Sequence, residues 1–110
     1  MWKRIPNMQP YEASDDGRIR NGNTLKELSP CDNGRGYLAL RIRGKTHRVH
    51  RLIALTFLEC DDPAQYDVDH IDFDKKNNNL SNLRYVPKVY NAARQPHTKQ
   101  ETLAKYFKVL

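Results

Sequence analysis

The sequence predicts a small α+β fold, on three observations. Tyr37–Arg43, reading YLALRIR, sets Tyr37 and Ala39 against Leu38, Leu40 and Ile42 in the period-2 alternation of a strand with one buried face. Leu52, Ile53, Leu55, Thr56 and Phe57 follow at near-helical spacing, which predicts a short core helix over Val49–Leu58. Beyond residue 65 the order is extended, polar turn, extended, then a proline suited to a helix start, with no βαβ alternation.

Taken in chain order, the first third is punctuated by Pro6, Pro10, Asp15-Asp16-Gly17 and Asn21-Gly22-Asn23, which predict turns. Between them Arg18–Arg20 and Leu25–Leu28 read as short extended pieces. Asn33-Gly34-Arg35-Gly36 turns the chain into the alternating strand, and Gly44-Lys45 reverses it into a partner strand ending near Val49. After the helix, Pro63 and its acidic neighbours read as a loop. Tyr66–Ile71 reads as extended, Asp72–Asn79 as a long turn and Leu83–Val86 as extended. Pro87 suits the first position of a helix running to Gln95, and Pro96 stops it. Thr98 caps a last helix through Phe107, with Leu103, Phe107 and Leu110 as its docking stripe. The division expected is a β-rich segment at 1–48 and a second unit at 49–110.

Composition narrows the function. The chain has 110 residues, the size of one domain or two small modules sharing a core. Lysine and arginine number 19 against 13 acidic residues, a net charge of +6, and the pI is near 9.5. Such a balance favours a polyanionic partner, nucleic acid ahead of a membrane surface. No apolar run approaches the roughly 18 residues of a membrane span, and the first residues lack the apolar core of a secretory signal. Cys31 and Cys60 are too few for a disulfide scaffold or a four-ligand zinc site, and are expected as free thiols in a reducing cytoplasm.

The charges are segregated. Arg35, Arg41, Arg43, Lys45, Arg48 and Arg51 lie in a stretch without an acid, whereas Glu59, Asp61, Asp62, Asp67, Asp69, Asp72 and Asp74 follow without a lysine or arginine. A solvated acidic loop explains the second stretch. So does a cation site beside a basic surface, the arrangement of metal-assisted phosphodiester chemistry.

The segment from Val68 to Val86, VDHIDFDKKNNNLSNLRYV, carries the chemistry. Asp69 and His70 are adjacent at a predicted strand end, Asn82 lies 82 − 70 = 12 residues on, and Asn91 lies 91 − 82 = 9 further, in the predicted helix. A strand–loop–strand–helix unit can bring Asp69, His70 and Asn91 into one cleft. This string resembles that of the HNH nucleases, intron-encoded and free-standing phage proteins whose core is the ββα-metal motif. The N-terminal Trp2-Lys3-Arg4-Ile5-Pro6, Tyr11-Glu12-Ala13-Ser14 and Gly17-Arg18-Ile19-Arg20-Asn21 are similar to the NUMOD-type segment that accompanies such cores.

The resemblance implies roles. His70 matches the general base that deprotonates the attacking water, a task suited to an imidazole of pKa about 6.5. Asp69 matches a metal-binding carboxylate, Asn91 the second metal ligand on the helix, and Asn82 the residue that braces the loop and holds the histidine. Asparagine stands where the eponymous motif ends in histidine, so this is an H-N-N variant. Two oxygen donors favour a hard cation, Mg²⁺ or Mn²⁺, one per site. The implied activity is hydrolysis of double-stranded DNA leaving a 5′ phosphate and a 3′ hydroxyl. One site cuts one strand, so a monomer nicks and a double-strand break needs a homodimer, which is expected to be weak, or a second binding event. A phage-encoded enzyme in a bacterial cytoplasm is expected. The chain's end at Leu110 argues against an appended DNA-reading module.

Bland readings compete residue by residue. A lone histidine is more often a surface residue than a base, and only the company of Asp69, Asn82 and Asn91 raises His70. Asp72, Asp74, Asn77, Asn78 and Asn79 read as turn formers rather than ligands. His47 and His50 read as packing residues, with phosphate contact as the alternative. Arg35, Arg41, Arg43, Lys45, Arg48 and Arg51 are candidates for phosphate contact, and Arg84 for the scissile phosphate. The competing function is a non-catalytic DNA-binding or packaging accessory on the nuclease scaffold, which has no need of Asp69, His70 and Asn91 together.

Overall fold

The computed structural model describes residues 1–88. Its first sheet holds β1 (Trp2–Arg4), β2 (Tyr11–Ser14) and β3 (Ile19–Asn21), antiparallel in that order. Trp2 lies opposite Ser14 and Tyr11 opposite Asn21. The turn between β2 and β3 is closed by the Ser14 N–H on the Arg18 carbonyl at 2.8 Å and the Gly17 N–H on the Ser14 carbonyl at 3.0 Å. Gly17 has φ +91°, a conformation that a side chain would strain.

The second sheet is β4 (Cys31–Asp32), β5 (Leu38–Ile42) and β6 (Lys45–Arg48). Arg43 and Gly44 form its hairpin turn, both with positive φ (53° and 79°) and with Ile42 facing Lys45, as a two-residue loop demands. The chain then runs directly into α1 (Val49–Phe57). A 3₁₀ turn at Pro63–Gln65 leads into β7 (Tyr66–His70), which pairs with β8 (Leu83–Pro87) across a polar loop that ends in a 3₁₀ turn at Leu80–Asn82.

One core serves both halves of the chain. Ile5, Ala13 and Ile19 of the first segment pack with Leu40 and Ile42, with Val49, Leu52, Ile53 and Ala54 of α1, and with Val68 and Leu83 of the last sheet. α1 touches strands of all three sheets, so its apolar stripe is the central post. Each buried valine, leucine or isoleucine among them contributes about 1.5–3 kcal/mol through burial.

The architecture agrees with the expected α+β class, and the strands at 38–42, 45–48, 66–70 and 83–87 and helix 49–57 fall where the pattern placed them. Three differences have physical reasons. Leu25–Leu28 forms no strand but one isolated bridge, Arg20 to Glu27, because Leu25 is exposed at φ +64°. β1, β2 and β4 are too short to show an alternating pattern. Pro87 closes β8 opposite Tyr66, at a strand end where its missing N–H is not required, and the first helical residue is Lys88 rather than Pro87. The helices expected to Gln95 and from Thr98 to Phe107, and with them Asn91, lie outside the described residues. Cys31 and Cys60 are free thiols.

Candidate active site

β7 delivers two polar side chains into the interior at its last two positions: Asp69 is 3% exposed and His70 is 5%. Strand alternation sends them to opposite faces. Asp69 faces Arg84 across the ladder, and the Arg84 Nε–H donates to Asp69 Oδ2 at 3.3 Å. His70, paired with Leu83, turns its ring into the loop between β7 and β8.

There His70 Nε2 lies 2.8 Å from Asn78 Oδ1. An amide oxygen only accepts, so Nε2 carries the hydrogen and Nδ1 is the basic nitrogen of the neutral ring. The ring also packs on His50, centroids 4.8 Å apart, and lies 6.0 Å from the Tyr37 ring. Tyr37 in turn stacks on His50 at 5.1 Å. Burial, then the nearby His70, Arg48 and Arg51, push His50 down to about 3, so its ring is neutral at any ordinary pH. Its Nδ1 is the one fully buried side-chain polar atom without a hydrogen-bond partner among the described residues.

The loop itself is built from side-chain-to-backbone bonds. Asp72 Oδ1 accepts the Asp74 N–H at 2.8 Å, Asp74 Oδ1 the Lys76 N–H at 3.0 Å, and Asn79 Oδ1 the Ser81 N–H at 3.2 Å. The hydrogen bond from the Asn77 amide, ahead of that from the Asp74 backbone, holds the Asp72 carboxyl below the usual carboxylate range. Asn82 ties the ends together: its Oδ1 accepts the Asp72 N–H at 3.0 Å, and its Nδ2 donates to Asp72 Oδ1 and to the Asn77 carbonyl, each at 2.9 Å. Its carbonyl accepts the Ile71 N–H at 2.8 Å, one residue from His70.

The first two sheets reach this loop. Lys75 donates to the Arg35 carbonyl at 3.1 Å and lies 4.8 Å over the Tyr37 ring, on which Arg48 also sits at 5.1 Å. Lys76 pairs with Asp32 at 3.4 Å, and the Leu80 N–H bonds the Asp15 carbonyl at 2.8 Å. Arg35, Arg41, Arg43, Lys45 and Arg48 are exposed, and Arg51 and Arg84 half-buried. Arg43 donates to the Gln9 carbonyl, and Arg51 to those of Tyr66 and Pro63 at 3.2 and 3.3 Å, so both guanidinium groups tie segments of the protein together.

Asp69, His70, Asn82 and Arg84 are thus brought to one end of β7 and β8. In the sequence Asn78 and Gly17 read as turn formers and Tyr37 as a strand residue, and Lys75 carries no functional signal. One signal for His50 was present: it shares a helix stripe with Ile53 and Ala54, all buried. Which of three successive asparagines turns inward carries no sequence signal.

A strand pair joined by an Asx-rich loop, with aspartate and histidine at the first strand's end, is the frame of an HNH nuclease core. A family model described as HNH endonuclease matches residues 47–93, and one described as the NUMOD4 motif matches residues 1–43. The chain belongs to the HNH endonuclease family. DNA endonuclease I-HmuI of Bacillus phage SP01 is 37% identical over 102 residues, 86% of this chain and 56% of that protein. Two uncharacterized HNH endonucleases of Acanthamoeba polyphaga mimivirus are 37% and 38% identical, covering 78% and 83% of this chain but 23% and 28% of theirs. The chain therefore spans little more than half of the first relative and about a quarter of the other two. The structure of the HNH homing endonuclease I-HmuI, solved for DNA binding and cleavage, matches with a TM-score of 0.72 at 30% identity, over 96% of this chain and 66% of that one.

Proposed function

We propose that this chain is a metal-dependent DNA endonuclease that nicks one strand per active site. The observation that carries the reading is the buried His70, held by Asn78 through Nε2 and adjacent in sequence to the buried carboxylate of Asp69. With Nε2 occupied, Nδ1 is the atom that takes a proton from water. The water oxygen bonds to phosphorus as the bond to the 3′ oxygen breaks, the water's proton passes to His70, the departing oxygen takes a proton from solvent, and the products are a 5′ phosphate and a 3′ hydroxyl.

The donors present fit a hard divalent cation. Asp69, contacted by Arg84 at 3.3 Å, would supply a carboxylate, and Asn91, nine residues beyond Asn82 in the sequence, would supply an amide oxygen. Water and substrate oxygens would complete such a shell. Mg²⁺ or Mn²⁺, when bound, supplies positive charge to the phosphate and the departing oxygen. Asn82 keeps the loop closed around His70. Arg35, Arg41, Lys45 and Arg48 are the exposed cations for duplex phosphates, with Arg84 toward the scissile one. The protein acts as a monomer or weak homodimer in the cytoplasm of a bacterial host. No helix among the described residues is long and apolar enough to cross a membrane.

The test is supercoiled plasmid incubated with the protein and Mg²⁺ or Mn²⁺, beside EDTA and His70→Ala controls. Open circles that require both the metal and His70 support the reading. Intact DNA binding without cleavage, across metals and pH, replaces it with the accessory-module reading.

A further inference from the structure

We propose that the turn at Gly17 is the seat of the catalytic loop, and that Asn78, resting on it, is the positioning residue that keeps His70 in its working tautomer. The inference rests on the endonuclease reading for its kinetic consequence but not for its structural one. Asn78 is 5% exposed, and its side chain makes the 2.8 Å contact to His70 Nε2. Its backbone lies directly on Gly17: a Cβ at position 17 would come within 2.9 Å of both the carbonyl carbon and oxygen of Asn78, and 3.1 Å of its Cβ. Backbone atoms cannot swing aside as a flexible side chain does, so only glycine permits this approach. The positive φ of Gly17 makes the same demand independently.

The seat is rigid on both sides. Ser14, 1% exposed, anchors the Gly17 turn through its bonds to Arg18 and Gly17, and Leu80, two residues past Asn78, is tied to the Asp15 carbonyl at 2.8 Å. Lys75 on Arg35 and Lys76 on Asp32 fix the loop's other limb to the second sheet. A twelve-residue excursion with little regular structure is thereby clamped by residues of the N-terminal segment, which on this account is part of the active-site scaffold. Without an acceptor at Nε2, a neutral imidazole divides between its tautomers, and the fraction protonated at Nδ1 cannot accept a proton there.

The experiment compares the full chain with Gly17→Ala, Asn78→Ala, the double variant and Asn78→Asp. It reads the ¹⁵N shifts of the His70 ring, single-turnover nicking, DNA affinity and circular dichroism. The wild-type ring is expected as the Nε2–H tautomer. Asn78→Ala and Gly17→Ala mix the tautomers and slow nicking about 10- to 100-fold at DNA affinity within about twofold, as losing a functional histidine's partner does. The double variant is no slower than Asn78→Ala alone, because Gly17 acts through Asn78, and Asn78→Asp, which still accepts, keeps the tautomer. Additive losses, or an unchanged His70 tautomer in Asn78→Ala, overturn the proposal. If Gly17→Ala unfolds, Gly17→Asn, which tolerates positive φ better, probes the close approach, and the Asn78 pair decides the rest by tautomer. Tautomer changes in a protein that never nicks DNA would defeat the endonuclease reading alone, whereas His70-dependent nicking indifferent to Asn78 would defeat this one alone.

Discussion

The imidazole rings of His50 and His70 lie 4.8 Å apart at an interplanar angle of 42°, although one belongs to α1 and the other to the end of β7. Tyr37 stacks on His50 at 5.1 Å and lies 6.0 Å from His70, so the three rings form a compact triangle beside the proposed general base. The neutrality of His50 matters. A charged His50 would repel a proton arriving on His70, and burial keeps it uncharged.

His50 makes stability depend on pH. The folded protein keeps the ring neutral down to about 3, while the unfolded chain protonates it below about 6.5. The unfolded state therefore binds more protons as pH falls, and stability is lost between about pH 6.5 and 3. At pH 5 the loss is about 2 kcal/mol, or roughly 10 °C in Tm for a chain of this size. Calorimetry at pH 7.5 and 5.0 checks this against His50→Phe, in which the drop shrinks by that amount. A wild type and variant with equal drops would show that His50 titrates normally.

Asn82→Ala removes three hydrogen bonds at a buried position, those to the Asp72 N–H, the Asp72 carboxylate and the Asn77 carbonyl. The expected cost is about 2–4 kcal/mol, since part of the loop's polar backbone is left unpaired. Urea unfolding measures it. Nicking falls further than the folded fraction, because the loop also carries Asn78. A loss under about 0.5 kcal/mol would mean that water replaces the brace.

Asp69→Asn preserves shape and removes the charge that a cation needs. Nicking is expected to fall at least about 100-fold, consistent with several kcal/mol of charge stabilisation from a bound ion. Fluorescence anisotropy should find DNA affinity unchanged or tighter, as one negative charge beside Arg84 disappears. Equal loss of affinity and rate would point to a folding role.

Lys75 and Arg48 flank the Tyr37 ring at 4.8 and 5.1 Å and present two exposed cations beside the histidine stack. If each neutralises one phosphate, Lys75→Ala and Arg48→Ala each reduce the slope of log affinity against log salt by about 0.9. Titrations between 50 and 200 mM salt provide the measurement. An unchanged slope would assign Lys75 to holding the loop on Arg35 alone.

Elements whose physics is local are legible in the order of the residues. The strands at 38–42 and 45–48, the helix at 49–57 and the last strand pair follow from period, turn chemistry and the proline and glycine positions, because each residue's preference depends on its near neighbours. The adjacency of Asp69 and His70 and the spacing to Asn82 were likewise legible, and with them the family. Which polar residues face inward depends on contacts between distant segments. Asn77, Asn78 and Asn79 are equivalent in the sequence, yet Asn78 alone is buried, because the Gly17 turn lies against its backbone. His50 stacks on His70, and Lys75 reaches Arg35, through contacts between distant segments that burial of one shared core brings together. Local chemistry writes the strands and the motif. Long-range packing selects the asparagine that orients the histidine, and no pattern within either segment encodes that choice.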